Sequence, residues 1–405
     1  MKETSPVRRT EKRGVEIIYT KFQKDRAWLE ICLDNIEYNY HFLRKTLKAN
    51  CEIMAVLKGD AYGLGAVTIG SMLEKIGCQY FCVACMSEAM ELREAGIEAP
   101  ILLLSPIEPN LTSVAIENGI EVPVVSLNQG KALSSMAEIL GKRLRVHIKA
   151  DTGLSRFGIL VPGRIEEAVN EAAVISTLPG LSAIGVFSHF STIQAVEGDE
   201  FNRKQIDLFN LFSDKLKEKG HDLKRHCSSS IFSQLYPETH NDYVRLGALL
   251  LGIQGPLRKG FQCKQSTEFK ARIQQIKEVS AGVSVSYGQT YYTFRRTRIA
   301  IVSVGFADGL QRSISNNASV LVKGKPAQII GKLAMDYTML DVTDIPEAKE
   351  WDTVTIFGND QGTELPVWQL AEKFPGNPGE LTSLIPHRVP RFYSRGGKTI
   401  GHWNK

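Results

Sequence analysis

The 405-residue chain lacks any run approaching the roughly 20 apolar residues that span a bilayer. Before "AWLEICL" its longest apolar stretch is "VEIIY", too short for the core of a secretory signal. Cysteine is sparse and odd in number: seven, scattered at positions 32, 51, 78, 82, 85, 227 and 263. That argues against a disulfide framework and for reduced thiols in a cytoplasmic protein. "CVAC" at 82–85 has redox spacing, yet it lies in the strand-like run "YFCVACM". It is read as core cysteines and not as a thiolate at a helix start. No low-complexity tract and no close repeat is present. Net positive charge is scarce outside the N-terminus. The net charge is +5, and residues 1–26 hold +4 of it, with eight Lys/Arg against four acids. The body therefore carries no footprint of a nucleic-acid binder, and the basic extension reads as a solvated, flexible segment. "GLG" at 63–65 lacks a third glycine and no GK[ST] follows, so no nucleotide fingerprint exists.

What is present is a repeat of pattern. Short apolar runs recur at 53–58, 80–85, 101–105, 122–126, 144–149, 183–189, 224–229 and 243–252, most followed by a longer amphipathic segment. Two such segments are "MSEAMELREAG" (86–96) and "NQGKALSSMAEILGK" (128–142), the latter ending in a Gly-Lys suited to a helix C-cap. Eight strand–helix alternations predict a (β/α)8 barrel, with a doubly wound open sheet as the alternative. After residue 262 the texture turns β-rich, with Gly, Asn and Asp turns and little helix before "PVWQLAEKF". The expected organisation is a basic extension (1–26), a barrel (27–262) and a C-terminal mainly-β domain (263–405). "AWLEICLD" (27–34) alternates like a strand available to that last domain.

Unusual polar residues cluster where the apolar runs end. Lys58 follows the first run, Lys149 and "ADTGLSR" the fifth, His189 the sixth and Ser228–Ser230 the seventh, while Arg245 sits inside the eighth. Taken singly, each has an ordinary explanation: a lone histidine is commonly a satisfied core group and a serine triplet commonly a turn. In a barrel, however, all these ends open on one face. A desolvated lysine beside other cations forms Schiff bases readily, and hydroxyls and amides after strands seven and eight commonly bind phosphate. This equipment suits pyridoxal phosphate. It suits equally an aldolase that uses Lys58 on a phosphorylated sugar.

The motifs carry a resemblance. "AVLKGDAYGLGA", "IKADTGLSRFGI" (148–159), "FSHFS" (187–191), "YVRLG" (243–247), "VSYGQTYYT" (285–293), "VGFADG" (304–309), "AMDYTMLDVTD" (334–344) and "RVPRFY" (388–393) resemble, in order and spacing, the signatures of bacterial alanine racemases. The resemblance implies a barrel followed by a β-domain, and pyridoxal phosphate held by Lys58. It implies that Tyr287 reaches the site from the other subunit of a homodimer, so that Lys58 and Tyr287 serve opposite faces of the substrate in a two-base racemisation. A free tyrosine has a pKa near ~10, so Tyr287 needs a nearby cation to act as a base. Arg245 would meet the pyridine nitrogen and, being unable to accept a proton, leave it unprotonated. His189 would stack near the ring and orient Arg245. Tyr62, Ser230, Gly247, Ala248 and Tyr393 would hold the phosphate. Arg156 and, across the dimer, Met335 would hold the substrate carboxylate, and Lys149 is the candidate for carbamylation. No metal, nucleic acid or membrane is implied.

Departures from the common pattern are "KGDAYGLG" for "KANAYGHG", Phe306 for tyrosine, Lys332 for arginine, Ala334 for cysteine and Ser229 for asparagine. They lie around the expected substrate entrance, so serine or a broader amino-acid set stands beside alanine as substrate. A product of D-alanine would feed peptidoglycan. A non-racemising PLP-binding protein would lack the β-domain. A decarboxylase of similar architecture would need a C-terminal nucleophilic cysteine, and none follows Cys263.

Overall fold

The computed structural model describes residues 11–12, 15–16, 24, 26–191, 199–253, 263–373 and 376–403. Most of the basic segment 1–26 therefore lies outside the described residues. The chain forms two compact units. One comprises Cys32–Ser266 with Pro378–Ser383. The other comprises Thr267–Asn377 and Leu384–Lys405, with the N-terminal residues through Ile31.

The first unit is a parallel barrel. Its strands are β1 (Glu52–Val56), β2 (Phe81–Val83), β3 (Ile101–Leu103), β4 (Ile120–Val124), β5 (Leu144–Asp151), β6 (Leu181–Phe187), β7 (Lys224–His226) and β8 (Tyr243–Leu246). They pair in chain order, and β8 pairs in parallel with β1. A parallel bridge between Ser229 and Arg245 links the ends of β7 and β8. An open doubly wound sheet is thereby excluded. Five of the strands (β1, β2, β3, β7 and β8) are shorter than the apolar runs that announced them, whereas β5 runs two residues longer. The run at 243–252 stops being strand at Leu246 because the chain turns helically, with the Leu251 N–H donating to the Gly247 carbonyl (2.9 Å).

The helices between strands form for local reasons. Leu127–Ile139 starts at Ser126, whose Oγ accepts from the Gln129 N–H (3.3 Å), and ends beside Gly141 at φ 63°. Ile165–Ser176 buries Ala168, Val169, Ala172 and Ile175, a helical stripe against the sheet. Asp199–Glu218 places Asp199 and Glu200 in its first turn and Lys215 and Lys217 in its last, matching the helix dipole. The two cysteines of "CVAC" part company. Cys82 is buried on β2, whereas Cys85 is exposed at the N-cap of the helix Met86–Glu94. The core reading holds for the first and fails for the second, because the strand ends at Val83.

The second unit is a ten-stranded, mainly antiparallel sheet. Its spine is the strand Thr267–Val279, in which Thr267, Phe269, Ala271 and Ile273 alternate into the core. The spine pairs with Ala27–Cys32, Thr297–Val302 and Thr353–Asp360. The N-terminal strand suggested by "AWLEICLD" thus belongs to this sheet. Arg26, counted with the basic extension, is held by ion pairs: Nη1 and Nη2 reach the two oxygens of Asp308 at 2.6 and 2.8 Å.

Candidate active site

Strand alternation brings polar side chains to one mouth of the barrel. On β5, His147, Lys149 and Asp151 occupy the face opposite Val146, Ile148 and Ala150. Register sets Lys149 beside Phe187 of β6 and Arg245 beside Met54 of β1. At the C-terminal ends of the strands lies a cavity of about 560 Å³. It is lined by Lys58, Tyr62, Lys149, Arg156, His189, Ser230, Arg245, Gly247 and Ala248, so every candidate that this unit carries meets there. Val56, Leu104, Phe157, Phe187 and Phe232 supply apolar walls. Four of the lining residues are cations (Lys58, Lys149, Arg156 and Arg245), and no described carboxylate lines the cavity.

Lys58 follows β1, where the backbone takes an uncommon course. Gly59, Asp60, Ala61 and Tyr62 run through left-handed helical angles, with φ between 54° and 64°. Such geometry disfavours each non-glycine residue by roughly 1–2 kcal/mol, so tertiary bonds must impose it. The Gly59 N–H donates to Glu88 Oε1 (2.7 Å) and the Ala66 N–H to Asp60 Oδ1 (2.7 Å). The helix Pro378–Ser383 packs on the same turn. Burial lowers the Lys58 pKa below the ordinary lysine value, and the fields of Arg156 and Arg245 add to the effect while Glu88 opposes it. That keeps a free amine accessible for Schiff-base chemistry.

In the same cavity as Lys58 the donors converge. Ser230 Oγ accepts from the Gly247 N–H (3.2 Å) and the Leu249 N–H (3.5 Å). A Cβ at Gly247 would sit 2.5 Å from Tyr62 Oη, so the absent side chain lets the phenol stand against that backbone. Burial pushes the Tyr62 pKa up to about 12, which keeps its hydroxyl a donor. Hydroxyls, a backbone amide and a surplus of cations are what a phosphate ester requires.

Arg245 is buried and fixed. Nη1 donates to the His226 carbonyl (2.8 Å) and His226 Nδ1 (2.9 Å). Nη2 donates to the Ser188 carbonyl (2.8 Å) and lies 3.2 Å from His189 Nδ1. Burial first, then Arg245 and neighbouring cations, hold the His189 pKa well below its ordinary value. Lys149 Nζ stands over the Phe187 ring (4.6 Å) and the Phe157 ring (5.4 Å). Burial, Arg245 and Arg156 bring its pKa down to about 7.

Tyr287, Met335 and Tyr393 belong to the β-rich unit. Tyr287 is 67% exposed on a turn in which Ser286 and Gly288 have φ 63° and 72°. Met335 is exposed as well, and Tyr393 is buried on the strand Arg391–Arg395. Phe306 is stacked by the Arg312 guanidinium (5.5 Å), and the carbonyl of Lys332 accepts from Ser286 Oγ (2.5 Å). The Ala334 carbonyl accepts from the Phe306 N–H (3.1 Å). The sequence reading missed Tyr80, Glu121, His147 and His226, which are buried inside the barrel and bonded in a chain to Arg245. A signal existed: His147 precedes Lys149 by two in a strand and so shares its face. Among the described residues no group of three or more His, Cys, Asp or Glu is placed to hold a metal ion, and no helix is long and apolar enough to cross a membrane.

Two family models match: alanine racemase, N-terminal domain, over residues 31–255, and alanine racemase, C-terminal domain, over residues 266–393. An alanine racemase of Desulforamulus reducens is 38% identical over 375 residues, covering 91% of this chain and 99% of the relative. The solved alanine racemase of Clostridium difficile 630 superposes with a TM-score of 0.87 at 32% identity, covering 94% of this chain and 98% of that one. That of Bartonella henselae, solved with covalently bound pyridoxal phosphate, gives a TM-score of 0.82 at 26% identity, covering 91% and 99%. With both domains matched in order and relatives covered almost end to end, the chain belongs to the alanine racemase family.

Proposed function

We propose that this protein interconverts L- and D-alanine with pyridoxal phosphate held by Lys58, supplying D-alanine for peptidoglycan in the cytoplasm. The observation that carries the reading is the cavity itself. A lysine of lowered pKa shares its cavity with a hydroxyl–amide cradle and three further cationic side chains, and no described carboxylate lines it. When bound, the cofactor supplies an electron sink for the electrons left on the substrate α-carbon.

The residues divide the remaining work. Ser230, Tyr62, the backbone at Gly247 and Ala248, and Tyr393 would hold the phosphate. Arg245 would donate to the pyridine nitrogen. Four of its N–H bonds are engaged by the protein as described above, and Nε is the donor without a partner among the described residues. An arginine cannot return a proton from that position. His189 orients it. Arg156 and Met335 hold the substrate carboxylate. Lys149, with its pKa near 7, reacts as the neutral amine with CO₂ to give a carbamate and a proton, which places an anion beside Arg156. Lys58 Nζ holds the α-proton on one face of the substrate and Tyr287 Oη on the other. Tyr287 and Met335 come from a partner subunit, a reading supported by the exposed aromatic surface of Tyr287, Tyr292, Phe294 and Tyr337.

The test is a panel of L-amino acids incubated in deuterated water, with optical rotation and α-deuteration followed together. Alanine should racemise and exchange fastest. Faster serine, lysine or arginine would move the substrate elsewhere, and no exchange with any amino acid would defeat the reading. Tyr287→Phe should slow exchange from one enantiomer more than from the other, and equal loss from both would undo the two-base assignment.

A further inference from the structure

Arg245 is a buried cation whose bonds in the protein all go to neutral acceptors: carbonyls and imidazole nitrogens. A buried charge without an anion is costly to maintain. The compensating anion is present, at the other end of the barrel. Arginine can only donate, so His226 Nδ1 accepts and the His226 proton resides on Nε2. That proton points at His147 Nδ1, 2.9 Å away, which therefore also accepts. The His147 proton is then on Nε2, 3.0 Å from Glu121 Oε2. Each link forces the tautomer of the next, and all the bonds run one way, from guanidinium to carboxylate.

The rest of the surroundings maintain this chain. The Tyr80 hydroxyl donates to the same Glu121 oxygen, and Arg145 Nε donates to the other at 2.8 Å. The Glu121 side chain is 1% exposed and that of Arg145 56%, so the chain ends at solvent on the N-terminal side of the barrel. Phe187 stacks on the His226 ring, with centroids 4.8 Å apart. Gly185 makes the room: a Cβ there would lie 2.1 Å from His147 Nδ1, beside a bulge in β6. Burial and the neighbouring His147 and Arg245 keep the His226 pKa well below its ordinary value. Burial raises the Glu121 pKa, but hydrogen bonds from His147, Tyr80 and Arg145 outweigh it and leave the carboxyl ionised.

We infer that Glu121, His147 and His226 are positioning residues that act on the reaction through Arg245, orienting its guanidinium and tempering its charge from the opposite end of the barrel. The inference rests on the reading that Arg245 faces the cofactor ring. Without the carboxylate, Arg245 would donate more strongly to its ring partner, and the electronics of the site would change although no residue touching substrate had been altered.

The experiment uses holoenzyme labelled with ¹⁵N-histidine. His147 and His226 should each show a protonated Nε2 and a bare Nδ1. Glu121→Gln keeps an acceptor oxygen and removes the charge. It should shift the Nδ1 signals of both histidines, displace the visible absorption band of the bound cofactor, and lower kcat about tenfold with KM within about twofold. Glu121→Asp should recover part of each change. A proton on Nδ1 of either histidine would overturn the relay, as would Glu121→Gln effects confined to His147 with an unchanged absorption band. The wild-type tautomers need no variant, so a substitution that fails to fold leaves that test standing. Recording the same spectra on cofactor-free protein separates the two readings: absence of cofactor binding sinks the proposed function, whereas the tautomers decide the relay.

Discussion

In the β-rich unit, Arg26 and Arg388 both bind Asp308, whose side chain is 0% exposed, and Arg388 also binds Asp336 at 2.5 Å. In the barrel, Lys58, Lys149, Arg156 and Arg245 line one cavity from which described carboxylates are absent. The residue types are the same and the balance is opposite. Where cations are matched, charge has become a structural tie between segments far apart in sequence. Where they are unmatched, the cavity is left with a field that no lining carboxylate neutralises and that favours an anion from outside. Burial first, and then the arginines of the unmatched cluster, depress two lysine pKa values, and that is the origin of its chemistry.

The difference can be broken from either side. Lys58→Ala should give the largest change, a loss of kcat/KM exceeding about 10⁴-fold, or ~5 kcal/mol of transition-state stabilisation. It removes a cation that folding has desolvated, so the cofactor-free variant should melt at or above the wild-type temperature. A marked fall in that temperature would show Lys58 to be a structural residue. Asp308→Asn shifts the balance: it leaves two arginines with a neutral amide and the one carboxylate of Asp336, and should destabilise by about 3 kcal/mol. The partial exposure of the Arg26 and Arg388 side chains, 33% and 40%, keeps the effect at the low end for a buried pair. A urea midpoint unmoved by Asp308→Asn would show the knot to be ornamental.

Much of this was legible in the sequence because a barrel converts strand ends into a rim. Lys58, Lys149 and His189 each occur at the end of an apolar run and Arg245 inside the eighth, and period two puts Lys149 and Arg245 on the interior face of their strands. What was not legible depends on contacts remote in sequence. The left-handed path through Asp60, Ala61 and Tyr62 opposes local preference and exists because Glu88 and the helix Pro378–Ser383 hold it. Nothing in "PGELTS" marks it as part of the barrel unit. The relay from Glu121 to Arg245 escaped because each member, taken singly, reads as an ordinary core polar residue. Only the register of β4, β5 and β7 reveals the row.

Two smaller effects sharpen the comparison. Inorganic phosphate should bind the unmatched cluster and stabilise cofactor-free protein by about 2.7 kcal/mol at a hundred times its dissociation constant. Chloride at equal ionic strength should do less, and Ser230→Ala should weaken the phosphate effect. Equal stabilisation by both salts would mean general screening in place of a site. The last effect is a pH dependence. Folded protein releases the Lys149 proton near pH 7, while the unfolded chain keeps it to about 10.5. Between those values the unfolded state binds more protons, so stability rises with pH, by up to ~1.4 kcal/mol per pH unit from this group. Below pH 7 both states are protonated and the slope from Lys149 vanishes. Lys58, also lowered, adds a slope of the same sign. Urea titrations from pH 7 to 9 in CO₂-free buffer should show the rise in wild type and a shallower one in Lys149→Met. Bicarbonate should add stability to the wild type alone, because a carbamate forms only on a neutral Lys149 amine. An identical slope in the two proteins would mean that Lys149 keeps its proton in the cavity, and a carbamate could not then form on it.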